Sequence, residues 1–309
     1  MVIDMDINRY EFEVLKYLKN DGFAKYDVRE ISNILSISCS RLSEAISNAI
    51  DKKYIHSNNS CLFLTDKGQR ALEPFEIKKA IILAAGFGTR MVPVTLETPK
   101  PLVEVNGKRI IDTLLDALIG HGINEIIIVR GYKKDKFDIL LEKYNNIRFI
   151  DNDDYDKTNN ISSLISAVDE LDQCYICEAD FFISNPNIIN RYHYASNYLG
   201  ASVLETDDWC FDIDNGCVKN YRKSGKYCYN AYGISAWTKE DCKKLRSCLL
   251  DAYSRNDGKD IFWEFVPLVL YKDMFDVEVK QCLKKDIVEI DNFYELVQLD
   301  PTYEKYKKD

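Results

Sequence analysis

Apolar residues recur at helical spacing in the first quarter of the chain and then give way to short continuous runs separated by amphipathic stretches. Between residues 8 and 19, Tyr10, Val14, Tyr17 and Leu18 fall three and four apart, which predicts a helix with one buried face. Asp27 is placed to cap a short helix over 28–35. Ser38 to Ser40 supply a turn and a second cap, and residues 41–52 repeat the period through Leu42, Ile46 and Ile50. Residues 54–64 read as a hairpin turning at Ser57-Asn58-Asn59-Ser60, and Thr65-Asp66-Lys67-Gly68 opens a last helical turn.

Pro74 marks a junction, so the chain divides into a module over 1–75 and a larger domain over 76–309. Ala80-Ile81-Ile82-Leu83-Ala84 is apolar at every position, as a strand buried on both faces must be. A helix over 110–121, a strand over 125–129, a helix over 134–144, a strand from Arg148, a helix over 161–171 and a strand over 174–179 follow. This alternation predicts an α/β fold of three layers, with a mixed, mostly parallel sheet between helices. After Gly200 the pattern turns to hairpins and closes in helices.

Composition narrows the function classes. The net charge of −9 argues against broad affinity for nucleic acid or an anionic membrane, without forbidding a local basic pocket. No apolar run reaches bilayer length, and the acidic start MVIDMDINRYEF lacks the regions of a signal peptide. Ten cysteines are scattered, and the CxxC from Cys174 to Cys177 has no second pair to complete a zinc site. Reduced thiols and a cytoplasmic location are expected.

The first strand of the larger domain runs into Leu83-Ala84-Ala85-Gly86-Phe87-Gly88-Thr89-Arg90. Small residues let backbone N–H groups close around an anion, and Arg90 adds a forked donor for phosphate oxygens. Met91-Val92-Pro93 and Thr98-Pro99-Lys100-Pro101 form a stiff loop that aims Lys100 at the same place. The dinucleotide fingerprint GxGxxG is absent, since Met91 replaces its last glycine, and the P-loop pattern is absent too. Asp180, ending Glu178-Ala179-Asp180, sits where the carboxyl end of a parallel strand opens on a crevice. Asp291, in Glu289-Ile290-Asp291, ends another short strand, and two such carboxylates can share one magnesium ion. His56, His121 and His193 form no cluster, and there is no GxSxG elbow.

Together these residues form GxGTRxxPxTxxxPKPL, which resembles the signature of nucleotidyltransferases that join an NTP to a sugar phosphate or to phosphocholine. The elements Asn159-Asn160-Ile161-Ser162-Ser163-Leu164, Glu178-Ala179-Asp180-Phe181-Phe182, Asp260-Ile261-Phe262-Trp263-Glu264 and Glu289-Ile290-Asp291-Asn292 narrow the resemblance to the bacterial CTP:phosphocholine cytidylyltransferases. That resemblance implies a Rossmann-like nucleotidyltransferase core. It also implies Mg2+ on Asp180 and Asp291, and Asn159, Asn160 and Ser162 beside the pyrimidine of CTP. Lys100 and Arg90 would act on the phosphates. Trp209, Tyr229 and Trp263, with Asp208, Asp260 and Glu264, are the expected cage for a choline cation, although any one of these rings alone would more often be core. Trp237 is assigned to packing. 2-Aminoethylphosphonate, phosphoethanolamine and a sugar 1-phosphate are the alternative acceptors, and a regulator that only senses ligand is the alternative of another class.

The N-terminal module, three helices and a β-wing, resembles the winged helix-turn-helix of MarR-type regulators. The resemblance implies a recognition helix over 41–53 and DNA as a candidate partner. Yet Glu44 and Asp51 lie on that helix and the module is nearly charge-balanced, which favours dimerisation or regulation, and a homodimer is an accepted outcome.

Overall fold

The structure, a computed structural model, describes residues 7–306 except 22, 26 and 60, and the chain separates into two compact units, Met1–Glu76 and Ile77–Asp309. Ser60, the last residue of the expected turn, and residues 1–6 at the acidic start lie outside the described residues.

In the first unit, α1 (Arg9–Asp21), α2 (Val28–Leu35), α3 (Cys39–Asp51) and α4 (Asp66–Leu72) accompany the strands β1 (Phe23–Lys25), β2 (Ile55–Asn58) and β3 (Cys61–Leu64). The Asp27 carboxylate accepts the N–H groups of Arg29 and Glu30, which fixes where α2 begins. Leu42 and Ile46 of α3 are buried with Phe12, Leu15 and Leu18 of α1. The strands order as β1-β3-β2, all antiparallel. Strand β1, which adds a third member to the expected hairpin, is three residues long and too short to show a period.

In the second unit, β4 (Lys79–Ala84) is followed by the small ribbon β5 (Glu104–Val105) and β6 (Lys108–Arg109), then α5 (Ile110–Gly120), β7 (Glu125–Arg130) and β8 (Ile147–Asp151). Next come α6 (Ile161–Ser166), β9 (Cys174–Glu178), β10 (Phe181–Ile183), the long hairpin β11 (Asn197–Asp214) and β12 (Cys217–Trp237), and α7 (Lys239–Ser254). β13 (Glu278–Gln281), β14 (Ile287–Glu289) and α8 (Phe293–Leu299) complete it. The central sheet runs β11-β13-β12-β9-β4-β7-β8. β4 lies parallel to β7 and β9, and β8 extends the parallel set beside β7. β12 joins antiparallel, with Ile234 opposite Cys177.

Alternation along β4 builds two cores. Ala80, Ile82 and Ala84 pack with Leu114 and Leu118 of α5, while Ile81 and Leu83 pack with Leu164 of α6 and Leu245 and Leu249 of α7. Each fully buried isoleucine contributes about 1.5–3 kcal/mol, so neither face of β4 tolerates a polar residue. The segment expected as a helix over 134–144 is instead a 3-10 helix, Lys134–Glu142. Its two buried residues, Phe137 and Leu140, stand three apart, the repeat of the tighter winding. The helix expected over 161–171 stops at Ser166 and resumes as one 3-10 turn at Val168–Glu170. The β11–β12 register shifts between Thr206 and Trp209, a bulge that re-aims Asp208 and Trp209.

Candidate active site

β4 and β9 end side by side, and the residues past their carboxyl ends face one another across a cleft of about 330 Å³. Leu83, Ala84, Ala85, Gly86, Gly88, Thr89 and Arg90 line one side. Lys100, Asn159, Asn160, Ser162, Asp180 and Asp291 complete it, with Asn152, Tyr155 and Glu178 between them. The turn out of β4 is possible because Gly88 adopts φ +63, and a Cβ there would lie 2.9 Å from Cβ of Lys100. The Thr95 hydroxyl donates to the Gly88 carbonyl at 2.9 Å and pins the loop from behind.

Charges in the cleft are paired among themselves. Arg90 grips Asp291 through two hydrogen bonds of 3.0 and 2.6 Å, while two thirds of its side chain stays exposed. The Lys100 ammonium, buried, donates to Asp180 at 3.1 Å and lies 3.7 Å from Asp291. Burial alone would push its pKa down, but Asp180, Asp291 and Glu289 outweigh it and hold the value above that of an ordinary lysine.

Asp180, Glu289 and Asp291 each offer an oxygen, and these atoms lie within 4.8 Å of one another. Oδ1 of Asp180 is buried with no hydrogen-bond partner. An all-oxygen set with an unsatisfied buried lone pair fits a hard divalent cation such as magnesium. Glu289 is an addition to the expected pair. Its signal was in the sequence: both acidic motifs read Glu-x-Asp, and period-two spacing turns both carboxylates to one side.

Glu178 lines the cleft, and Glu264 is buried behind it close enough for the two carboxyls to interact. Asn160 joins them, its side-chain amide donating to Glu178 at 3.0 Å and to Glu264 at 3.4 Å, and its side-chain carbonyl accepting the backbone N–H of Trp263 at 2.8 Å. Glu178 lies so close to β12 that a Cβ on Gly233 would stand 2.5 Å from its Oε2. Burial raises the Glu264 carboxyl to about 7, with Asp180 adding to it, and raises Glu178 well above the usual range, with Glu264 and Asp180 adding to it. Glu289 is pushed to about 10 by burial first and then by Asp180, Asp291 and Asp208, the last also hydrogen-bonded to it.

Asn159, Asn160 and Ser162 line the cleft, and the amides of Asn159-Asn160 are also engaged within the protein, Asn159 donating to the Asp260 carbonyl at 3.1 Å, which braces the segment 260–264. Ser162, buried, accepts from Asn152 at 2.9 Å and donates to the Asn159 carbonyl. The expected cage does not assemble. Trp263 is fully buried and packs edge-on against Trp237 in the core, because its neighbours Val266 and Trp237 need a large apolar partner there. Tyr229 stacks on Phe211, and Asp260 is exposed and outside the cleft. Trp209 is half-buried, one face stacked on Tyr221 at 5.2 Å, with Phe262 and Phe265 at its edges. Of that set Glu264 joins Glu178 and Asn160, and Asp208 is hydrogen-bonded to Glu289. Trp237 is core, as expected.

The nucleotidyl transferase family profile matches residues 79–199, the segment from β4 into β11. A 2-aminoethylphosphonate cytidylyltransferase of Lancefieldella rimae is 38% identical over 232 residues, covering 74% of this chain and 94% of the relative. The chain belongs to the nucleotidyl transferase family. This nucleotidyltransferase is also 35% identical to a choline-phosphate cytidylyltransferase of Streptococcus pneumoniae, over 72% of the chain and 96% of the relative. Among solved structures it resembles the CTP:phosphocholine cytidylyltransferase of S. pneumoniae, with 33% identity, a TM-score of 0.68, and 74% of this chain and 99% of that one covered. No helix among the described residues is long and apolar enough to cross a membrane.

Proposed function

We propose that this enzyme transfers CMP from CTP to 2-aminoethylphosphonate, releasing pyrophosphate. The carrying observation is the acidic wall of the cleft, which Glu178 and Asn160 line and where Asn160 ties Glu178 to the buried Glu264 behind it. A primary ammonium has three N–H donors to satisfy such carboxyl groups, whereas a quaternary one has none and seeks open aromatic faces. With Trp263 in the core and one face of Trp209 covered, the ring surface left for choline is small. The L. rimae relative supports this acceptor, and the relatives named as cytidylyltransferases support CTP.

The phosphonate is anionic at neutral pH and needs no strong base. Its oxygen bonds to the α-phosphorus of CTP, and the bond from that phosphorus to the bridging oxygen breaks in line, with the electron pair leaving on pyrophosphate. The barrier is repulsion between anions, so positioning and fixed positive charge do the catalysis. Lys100 neutralises the α-phosphate, while Arg90 and the loop amides hold the β- and γ-phosphates and the departing pyrophosphate. Asp180, Glu289 and Asp291 would hold Mg2+, which would supply further positive charge against the phosphoryl anions.

Phosphocholine is the second reading, favoured by Trp209 beside Asp208 at the bulge and by the S. pneumoniae relative. The N-terminal unit is proposed as a winged helix serving dimerisation or regulation. Exposed residues of α3 include Arg41, Ser43, Glu44 and Ser47, one positive and one negative charge, a poor footprint for phosphates. Pyrophosphate release from CTP with a panel of acceptors tests the enzyme reading. We expect kcat/KM for 2-aminoethylphosphonate to exceed that for phosphocholine by at least about tenfold, one ordinary ionic hydrogen bond. The reverse order selects phosphocholine, and no turnover with any acceptor selects the ligand-sensing reading. A mobility shift at stated salt tests DNA.

A further inference from the structure

Phe87 is the one aromatic residue in the phosphate loop, set between Gly86 and Gly88, and 40% of it is exposed where an apolar ring gains nothing from water. Its ring lies 5.3 Å from that of Tyr132 and 5.3 Å from that of Tyr155, tilted against both. Tyr155 also lines the cleft, on the loop that carries Asn152, Asn159 and Asn160. It rests on bare backbone, since a Cβ on Gly131 would stand 2.6 Å from its Cγ and 2.9 Å from the Ala85 carbonyl. Tyr132 is fixed at both ends. Its N–H donates to the Ala85 carbonyl at 3.0 Å and its hydroxyl to the Thr95 carbonyl at 3.0 Å, and Thr95 in turn holds Gly88.

From this geometry we infer that Phe87 is a positioning residue that clasps the phosphate loop to the Tyr155 loop, so that filling the phosphate half of the nucleotide site tightens the nucleoside half. The inference rests on the reading of the cleft as a nucleotide site and not on the identity of the acceptor. Two tilted ring contacts of this kind are the unit of aromatic packing, and both are lost together when the Phe87 ring is removed. Tyr132 and Tyr155 keep their own supports, so the variant keeps its fold.

Coupling between the two halves is reciprocal and is measured directly by binding one fragment in the presence of the other. Cytidine and pyrophosphate are the probes, which together leave out the α-phosphate and do not overlap. Calorimetry on the full chain should show saturating pyrophosphate tightening cytidine by about fivefold in the natural protein, the low end of ordinary coupling. In Phe87→Ala the tightening should vanish while cytidine alone binds within about twofold of the natural value. Phe87→Tyr, which keeps the ring, should retain the coupling. In steady state Phe87→Ala should raise KM for CTP by about tenfold, the scale of two aromatic contacts, with kcat and the acceptor KM within about twofold. Coupling that survives in Phe87→Ala, or fragments that both bind the natural protein but independently, overturns the clasp alone. Failure of either fragment to bind overturns the nucleotide reading and the clasp with it.

Discussion

Replacing Gly233 with alanine probes the acidic end of the cleft from behind. The added Cβ would meet three atoms of one side chain, Oε2, Cγ and Cδ of Glu178, at 2.5, 2.6 and 2.8 Å. Glu178 cannot simply swing away. Its Oε1 accepts from Asn160 at 3.0 Å, Glu264 lies against it, and its backbone is held in β9 between β4 and β12. Overpacking of this kind costs about 1–3 kcal/mol, which for a unit of this size is a fall in Tm of roughly 2–12 °C. Movement of Glu178 also disturbs the ammonium site while leaving the phosphate loop untouched, so KM for the acceptor should rise by about tenfold or more and KM for CTP by less than about twofold. Differential scanning calorimetry and steady-state pyrophosphate release read the two effects. Glu178→Ala combined with Gly233→Ala removes the clash, so the pair should be more stable than the sum of the two single changes predicts. An unchanged Tm with an unchanged acceptor KM, or strict additivity of the two changes, would refute the reasoning.

Trp263→Phe should keep the acceptor KM within about twofold, because the indole N–H is buried without a partner and the ring is core, whereas Trp263→Ala should lose about 3–5 kcal/mol in denaturant unfolding. Arg90→Gln should tighten Mn2+ binding to the nucleotide-free protein, followed by electron paramagnetic resonance, by up to about fivefold, since the exposed pair with Asp291 is a weak one. Unchanged or weaker binding would count against Asp291 as a ligand. Glu264, raised to about 7, binds its proton more tightly folded than unfolded, so its contribution to stability is full below about 4.5 and is lost as pH rises through about 7. Tm of the ligand-free protein should therefore fall across that window, and Glu264→Gln should flatten the fall. Asp180→Asn should abolish turnover to below about a hundredth while near-ultraviolet circular dichroism stays the same. Retained turnover at saturating magnesium would remove Asp180 from the metal site.

The proposed nucleotide half of the site is legible in sequence because much of it is local. The segment 83–90 and Asp180 follow the ends of β4 and β9, which lie side by side and parallel and so open on one edge. The acceptor half was not legible because it depends on contacts far apart in sequence. Glu178 meets Gly233 and Glu264 only when β12 lies beside β9, and no spacing in the chain announces that pairing. The fate of Trp263 was hidden for the same reason. A tryptophan beside a carboxylate reads alike whether it walls a cavity or fills a core, and here Trp237, 26 positions earlier by subtraction, decides the matter. Asn160 lines the cleft where the sequence placed it, and its bonds to carboxylates and backbone inside the protein are contacts that no spacing announces.

The bulge between Thr206 and Trp209 lies on a hairpin arm whose residues Asp208 and Trp209 do not line the cleft. The loop 83–90 and Asp180 follow the parallel strands β4 and β9, and Glu289 and Asp291 stand at the end of β14, whereas Asp208 and Trp209 stand on an arm whose register is already broken. In a strand, losing one residue exchanges the two faces. A single deletion at residues 207–208 would thus swap the side chains this stretch presents on each face, and because Asp208 is hydrogen-bonded to Glu289 it would be felt at the acidic cluster as well. Under the proposed phosphocholine reading, in which Trp209 and Asp208 meet the acceptor, this short irregular stretch is the place to begin in altering what the enzyme accepts.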